Sequence, residues 1–393
     1  MRECAWLRSN PAGGQQQDNI DESHPYECVS NQYYWVLGKP YCRFINPFHR
    51  LYEHIQINGG GRMSDETPKP DIFYQIKNAA RATAAMLAGM ELDLFTPLKD
   101  GPLTAEQLAS KLGFIPGKVS TLLYALVIAG LLTVEDGAFS NTPETDEYFV
   151  RGKAGYMGES YKIWYSNLQA SLQTAKTIRT GVPQAKYDWT NMTEGELKAL
   201  YEGMSSGDDA FAAWLSSQYD FSRCWRLLDA GGGSGALAIA MTKIHPYINA
   251  TVVDFPEVTP ITEQFVMDAD ASDKVKVVSA NLACDPIPDM YDVVILSSVI
   301  QTISAEEARL VINNVGKVTN PGGMLYIFGG GMLENSRLSP KTAVEWNLVF
   351  INTYDDGQSF TKKEHREWLE EAGFEDINFK LDEFTITARK QAD

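Results

Sequence analysis

Leu227-Leu228-Asp229-Ala230-Gly231-Gly232-Gly233-Ser234-Gly235 is the stretch on which the reading of this chain turns. An apolar run ends in an acid and enters four glycines in five residues, the pattern of a buried strand turning into a helix. Glycines allow the tight turn and a bare backbone approach to a ligand, while the helix start presents free N–H groups and a positive dipole end. Around it the chain alternates. Arg226–Asp229, Ala250–Asp254, Val275–Val278, Tyr291–Ser297 and Met324–Phe328 read as strands, with helices over Ala236–Ile244 and Ala305–Val318. Such alternation predicts an α/β fold, a Rossmann-like parallel sheet covered by helices on both faces. Asp254 closes the second strand, 23 residues after Gly231. A carboxylate at that place accepts both hydroxyls of a ribose.

Upstream the pattern differs. Ile72, Phe73, Ile76, Ala79 and Ala80 recur at helical spacing, and a second apolar stretch covers Ala84–Leu98. Thr104 and Gln107 form a capping box, and Gly113 stops that helix. A helix over Lys118–Ala129 ends at Gly130, and Glu135-Asp136-Gly137 joins two short strands as a hairpin. Helix, turn, helix and hairpin make a winged-helix arrangement. Its second helix, Lys118–Leu126, carries one lysine and no arginine, whereas base reading wants Arg, Asn or Gln outward. Dimerisation is therefore the expected role. The domain reading is a leader over 1–62, a winged-helix dimerisation domain over 63–165, a helical linker lining an acceptor pocket over 166–222, and a ligand-binding domain over 223–393.

With 34 basic and 51 acidic side chains, the chain carries a formal charge of −17, which repels phosphate backbones and anionic lipid. Neither a nucleic acid nor a membrane is expected as partner. The longest apolar candidate, Leu122 to Val134, is too short for a bilayer, which needs roughly 18 residues. Five scattered cysteines with no CxxC spacing predict a reducing cytoplasm and no metal site. Residues 1–62 hold six basic and six acidic groups and no periodicity. Gly59-Gly60-Gly61-Arg62 before Met63 suggests a translated ribosome-binding site, so the natural start is expected at Met63; N-terminal mass analysis of the native protein decides this.

Gly231, Gly233 and Ala236 also satisfy the dinucleotide pattern GxGxxG/A, so a nicotinamide enzyme competes. Three features favour S-adenosylmethionine: Asp229 directly before the glycines, a fold that begins late, and Asn320-Pro321-Gly322-Gly323 leading into a strand. Together with Thr251-Val252-Val253-Asp254-Phe255-Pro256 and Tyr291-Asp292-Val293-Val294-Ile295-Leu296, these runs resemble the class I O-methyltransferases of the caffeate and hydroxyindole type over about residues 70 to 390. That family carries a winged-helix dimerisation domain in front. The resemblance implies a homodimer, a small-molecule acceptor, and S-adenosyl-L-methionine held by Asp229, Gly231, Gly233, Asp254 and Ser297. The family's adenine-contacting acid falls on Asn281.

Relatives use a His–Asp pair after the fourth strand, the His deprotonating an acceptor hydroxyl. Here Gln301 and Thr302 stand at those places. Glutamine is no base near neutrality, so Gln301 is expected only to orient the acceptor. After Met63 the only histidines are His245, at a helix end away from the cofactor edge, and His365, read as a solvated helix start. A thioether sulfur has no proton to lose, and its sulfonium product is stabilised by aromatic faces. A missing base therefore points toward sulfur, or toward an acceptor that arrives ionised. The chain also resembles the bacterial S-methyltransferases that act on 4-methylthio-2-hydroxybutyrate in dimethylsulfoniopropionate synthesis, by its core of about 330 residues, its missing His and its acidic balance. O-methylation of a small hydroxylated or aromatic metabolite, and a non-catalytic winged-helix regulator, stay open beside it. Trp164, Tyr165, Met204, Phe211, Trp346, Asn347 and Tyr354 are the expected acceptor contacts.

Overall fold

The computed structural model describes residues 34–36, 39–41, 70–153, 155–186, 192–205 and 207–392. The chain divides into two units at Pro70. In the first, β1 (Tyr34–Val36) and β2 (Lys39–Tyr41) pair antiparallel. The expected start at Met63 lies outside the described residues.

The second unit begins with α1 (Asp71–Glu91). β3 (Leu103–Thr104) leads into α2 (Ala105–Leu112), and α3 (Pro116–Ile128) follows. The capping box forms as its residue types require: the Thr104 hydroxyl accepts from the Gln107 N–H, Gln107 Oε1 accepts from the Thr104 N–H, and Gly113 closes the helix at φ 74°. β4 (Leu132–Glu135) and β5 (Ala138–Asn141) are joined by Asp136 and Gly137, both at positive φ, a type I′ turn. β5 sits between β3 and β4. Leu94, Phe95, Leu108, Leu123, Leu126 and Phe139 fill this region's core.

Five helices lead on: α4 (Pro143–Tyr148), α5 (Tyr161–Leu172), α6 (Thr174–Thr180), α7 (Glu194–Met204) and α8 (Asp208–Gln218). The boundary read at 165/166 falls inside α5, which is one continuous helix.

The remainder is the α/β layer structure. It runs β6 (Arg226–Ala230), α9 (Ala236–Ile244), β7 (Asn249–Asp254), α10 (Thr259–Asp268), β8 (Val275–Ser279), β9 (Tyr291–Ser297), α11 (Ala305–Val318), β10 (Thr319–Phe328), β11 (Met332–Leu333), α12 (Lys341–Thr353), β12 (Phe360–Thr361), α13 (Lys362–Glu371), β13 (Phe374–Lys380) and β14 (Thr385–Lys390). The main sheet has the order β13-β14-β10-β9-β6-β7-β8. β6 to β10 are parallel, as expected, but β14 pairs antiparallel with both β10 and β13, so the sheet is mixed. The chain moves outward from β6 through β7 to β8, then returns to β6's other side with β9. That reversal opens a crevice at the carboxyl ends of β6 and β9. Strand residues alternate between two cores: Leu228, Val294 and Leu296 pack with α11 and α13, while Leu227, Val252 and Ile295 pack with α8 and α9.

His365 is not solvated. It lies on the inner face of α13 with Trp368 and Leu369, 1% exposed, because that face supplies the helix's only apolar stripe. Its Nδ1 donates to the Thr361 carbonyl at 3.0 Å, and burial pushes its pKa down to about 4. The folded state therefore holds it neutral, while the unfolded chain protonates it below about 6.5. Its contribution to stability is present above that pH and is lost as pH falls toward 4. The gap in urea resistance between the parent and His365→Gln should be widest at pH 7 and close toward pH 4, by up to roughly 3 kcal/mol. A gap that is flat in pH would contradict this.

Candidate active site

The turn from β6 to α9 lies at the crevice, and its conformation explains its glycines. Gly231, Gly233 and Gly235 have φ of 74°, 54° and 74°. A β-carbon at Gly231 would stand 2.5 Å from Val299 Cγ2, and one at Gly232 would stand 2.6 Å from the Asp229 carboxyl carbon. Gly233 is held at both ends of its residue. Its N–H donates to Asp254 Oδ2 at 2.8 Å, and its carbonyl accepts from the Thr262 hydroxyl of α10 at 2.5 Å. Asp254 Oδ1 accepts from the Phe255 N–H at 2.7 Å. Each of its oxygens retains acceptor capacity for a diol.

Asp229 is 1% exposed beneath the turn, and its Oδ2 has no hydrogen-bond partner among the described residues. Burial, then the charges of Asp208 and Asp254, push its pKa up to about 7, against a lowering contribution from the Ala238 N–H in the first turn of α9. Asp208, at the start of α8, is pushed up to about 6 by burial and by Asp209. Burial also raises Asp254. No Lys, Arg or His among the described residues forms an ion pair with Asp208, Asp229 or Asp254, and no acid–His–Cys group there could hold a metal. A pyrophosphate would enter this field against three carboxylates. A ligand with a sugar diol and a cationic amine meets complementary groups instead. The bare backbone, the diol acceptor and the unpartnered carboxylate fit an adenosyl amino acid carrying positive charge. They do not fit a dinucleotide.

Sequence reading overlooked two residues here. Tyr201 of α7 packs its ring on the turn, with Cε1 2.9 Å from where a Gly233 β-carbon would be, and it lies within the influence of Asp254 and Tyr354. Asp208 reads in the sequence as an ordinary acid in a helix's first turn. Neither carries a local signal, since what recruits them is the packing of α7 and α8 on the crevice.

The other expected residues divide. Ser297 ends β9, half-buried, beside Phe328 of β10. Asn281 uses Oδ1 to accept the Ala283 N–H at 2.9 Å, shaping its own turn, while Leu282 beside it reaches Gly231. Gln301 is 7% exposed and follows Val299 by two residues. A β-carbon on Gly329 would stand 2.7 Å from its amide Nε2 and Oε1, so glycine is what lets the strand end pass this side chain. Trp346 lies against Gly330 and stacks on Phe350, ring centroids 5.8 Å apart. Phe211 packs edge-on to Phe328 at 4.9 Å. Tyr354 caps α12 and packs on Gly357, whose β-carbon position is 3.0 Å from the Gln301 carbonyl oxygen.

Four of the expected acceptor contacts have other surroundings. Asn347 is committed to the fold, since its Oδ1 accepts the Ser359 N–H at 2.6 Å. Trp164 packs against the N-terminal core, where apolar partners were available to it. Tyr165 and Met204 are 50% and 48% exposed, on helix faces turned from the core. His245 bonds Ser216 and Tyr247 at the far end of α9 from the turn, so, as expected, it does not face the crevice.

Comparison with known proteins agrees with this geometry. The O-methyltransferase domain family matches residues 165–375, and the O-methyltransferase dimerisation domain family matches residues 74–151. The chain is 27% identical over 314 residues to the tetracenomycin polyketide synthesis 8-O-methyl transferase TcmO of Streptomyces glaucescens, covering 78% of this chain and 92% of that one. It is 26% identical over 315 residues to 3-hydroxy-5-methyl-1-naphthoate 3-O-methyltransferase of Streptomyces sahachiroi, covering 78% and 90%. Its fold matches that of human N-acetylserotonin methyltransferase, solved in complex with S-adenosylmethionine, at a TM-score of 0.63 and 20% identity over 84% of this chain and 100% of that one. The match to the catalytic domain spans more than half of the sequence, and the chain belongs to the O-methyltransferase family, whose methyl donor is S-adenosyl-L-methionine.

Proposed function

We propose that this protein is an S-adenosylmethionine-dependent methyltransferase that acts on a hydroxyl of a small aromatic metabolite. The observation that carries the donor is the glycine turn with Asp229 buried and one of its oxygens unpartnered beneath it and Asp254 bonded to Gly233, neither carboxylate ion-paired among the described residues. The observation that bears on the acceptor is Gln301, buried against Gly329 and two residues beyond Val299, which packs on the turn. Both relatives named above methylate oxygen, by their names, on polyketide or naphthoate skeletons. This favours oxygen over the thioether acceptor that the missing His suggested.

When bound, the donor supplies an electrophilic methyl on a sulfonium. The chain's own contribution on the acceptor side is positioning. Trp346, which lies against Gly330 and is backed by Phe350, offers a ring face to a flat molecule. Gln301, wedged against Gly329, presents a neutral amide that fixes an acceptor oxygen by hydrogen bonding without taking its proton. An acceptor phenol then reacts in the ionised form in which it arrives. Phenols acidified by ring carbonyls are ionised near neutrality, whereas a simple phenol, with a pKa of about 10, is not. The dimerisation match supports a homodimer.

Transfer of labelled methyl to a panel of phenols, with a thioether acid alongside, tests this reading. The acid limb of the pH–rate profile should move with each phenol's own pKa. A limb fixed at one pH for all phenols would reveal a protein base and overturn the assignment, and transfer to the thioether alone would replace oxygen by sulfur.

Gln301→His should raise the rate on a phenol of pKa near 10 by about a hundredfold, the lower end of the range a placed general base supplies, and leave an acidified phenol little changed. Melting temperature checks that the imidazole is accommodated. A folded variant that gains nothing on the weak phenol would show that Gln301 does not face the acceptor oxygen.

A further inference from the structure

The last turn of α12 is fastened to α6 by one side chain. Asn352 is fully buried there. Its Oδ1 accepts from the Thr177 hydroxyl at 2.5 Å, and its Nδ2 donates to the Thr174 hydroxyl oxygen at 2.9 Å and to the Leu348 carbonyl at 2.6 Å. Its own carbonyl accepts from the Ala185 N–H at 2.8 Å. The Thr174 hydroxyl in turn donates to the Ser171 carbonyl at 2.6 Å, so one network runs from α5 through α6 into α12. The amide's oxygen and both its N–H groups are met. Lys186 also pairs with Asp355 close by, but those side chains are 51% and 62% exposed, and such a pair contributes little.

What this network holds is α12, which carries Trp346 against Gly330 and leads into Tyr354 and Gly357 beside the Gln301 carbonyl. Trp346 stands six residues before Asn352, about 9 Å along the helix axis. Apolar contacts between helices are non-directional and tolerate sliding and rotation. Hydrogen bonds from one planar amide are directional, and the bond to Leu348 one turn back fixes that amide's own orientation. A slip of one residue would turn the helix by about 100°, take Asn352 off both threonines and swing Trp346 with it. We propose that Asn352 is a positioning residue for the acceptor: with Thr174 and Thr177 it sets the register of α12 on α6, and so the place of the Trp346 ring at the crevice. The donor side is tied separately, through Gly233, Asp254 and Thr262, and shares no hydrogen bond with this network among the described residues. The network therefore governs how the acceptor lies and leaves donor affinity alone.

This inference rests on the acceptor reading above, and its test keeps the two apart. Three quantities are measured: acceptor KM on the phenol that the parent methylates fastest, the ratio of the two monomethyl ethers formed from 1,6-dihydroxynaphthalene, whose hydroxyls are inequivalent, and S-adenosylmethionine affinity by calorimetry. Thr177→Val keeps the side chain's shape and removes the hydroxyl that Asn352 accepts from. The acceptor KM should rise about tenfold and the ether ratio shift at least about threefold, within the cost of an ångström-scale misplacement, while donor affinity stays within about twofold. Thr177→Ser keeps the hydroxyl and should bring KM and ratio back to within about twofold of the parent's. Thr174→Val, at a half-buried position, loosens the same amide from its other side and should shift both in smaller measure.

A merely structural role lowers the amount of active protein, so both ethers fall together while their ratio and the acceptor KM stay put. That outcome would overturn the proposal and leave the acceptor reading intact. So would a Thr177→Ser protein as altered as Thr177→Val, or a loss of donor affinity equal to the rise in KM. Where Thr177→Val does not fold, Thr174→Val decides by the same three measurements. A parent protein that transfers methyl to no phenol at all would instead remove the acceptor reading itself.

Discussion

Gly233 is where the architecture of this protein is decided. Its N–H is spent on Asp254 and its carbonyl on Thr262, so the ends of two strands and one helix are tied to a single residue at the mouth of the crevice. No residue with a β-carbon fits comfortably at Gly231, Gly232 or Gly233, because Val299, the Asp229 carboxyl and the Tyr201 ring occupy that space. The turn is pressed from beneath by a carboxylate and from above by an aromatic ring. It keeps its shape by hydrogen bonds between its own backbone and the Asp254 carboxylate and Thr262 hydroxyl. Burying Asp229 under it costs the fold desolvation and like-charge repulsion, and the Ala238 N–H at the start of α9 offsets only part of that. A site that is costly when empty gains most from a cationic ligand.

This arrangement also explains what was legible beforehand. Helix α9 over Ala236–Ile244, strand β9 over Tyr291–Ser297 and helix α11 over Ala305–Val318 follow from apolar periodicity and occur over those residues. The glycine turn and Asp254 follow from spacing along one βαβ unit. All are local, so neighbours in sequence carry the signal. The antiparallel β13 and β14 are not local: Phe374–Lys380 carries charge on its outward positions and shows its apolar side only against α13.

The acceptor side was much less legible, for the same reason. Trp164 and Trp346 look alike as isolated aromatics on helices, yet one packs into the N-terminal core and the other lies on Gly330. Asn347 and Asn352 both look like polar groups poised over a pocket. In the structure one caps the loop at Ser359, while the other is fully buried and joins α12 to Thr174 and Thr177 of α6. His365 shows the converse. Lys362-Lys363-Glu364-His365-Arg366 reads as solvated by composition, but a period of three and four from His365 to Trp368 and Leu369 marks the buried stripe.

The two sides of the crevice divide the chemistry between them. The donor side is charged, buried and fixed by the backbone, so it selects by electrostatics. On the proposed assignment the acceptor side is neutral, with the Trp346 ring and an amide in place of an imidazole, and would select by shape and by the acidity the acceptor brings. In-line methyl transfer needs close approach and alignment more than it needs a proton acceptor, provided the attacking atom already has a free lone pair of sufficient basicity. Gln301 cannot be protonated or deprotonated near neutrality, and its place beside Gly329 leaves its amide little room to turn. A rigid neutral group cannot rescue a poor nucleophile, but it holds a good one in register. On that assignment selectivity would reside in the reactivity of the acceptor itself, with the fold contributing the geometry in which that reactivity meets the methyl group.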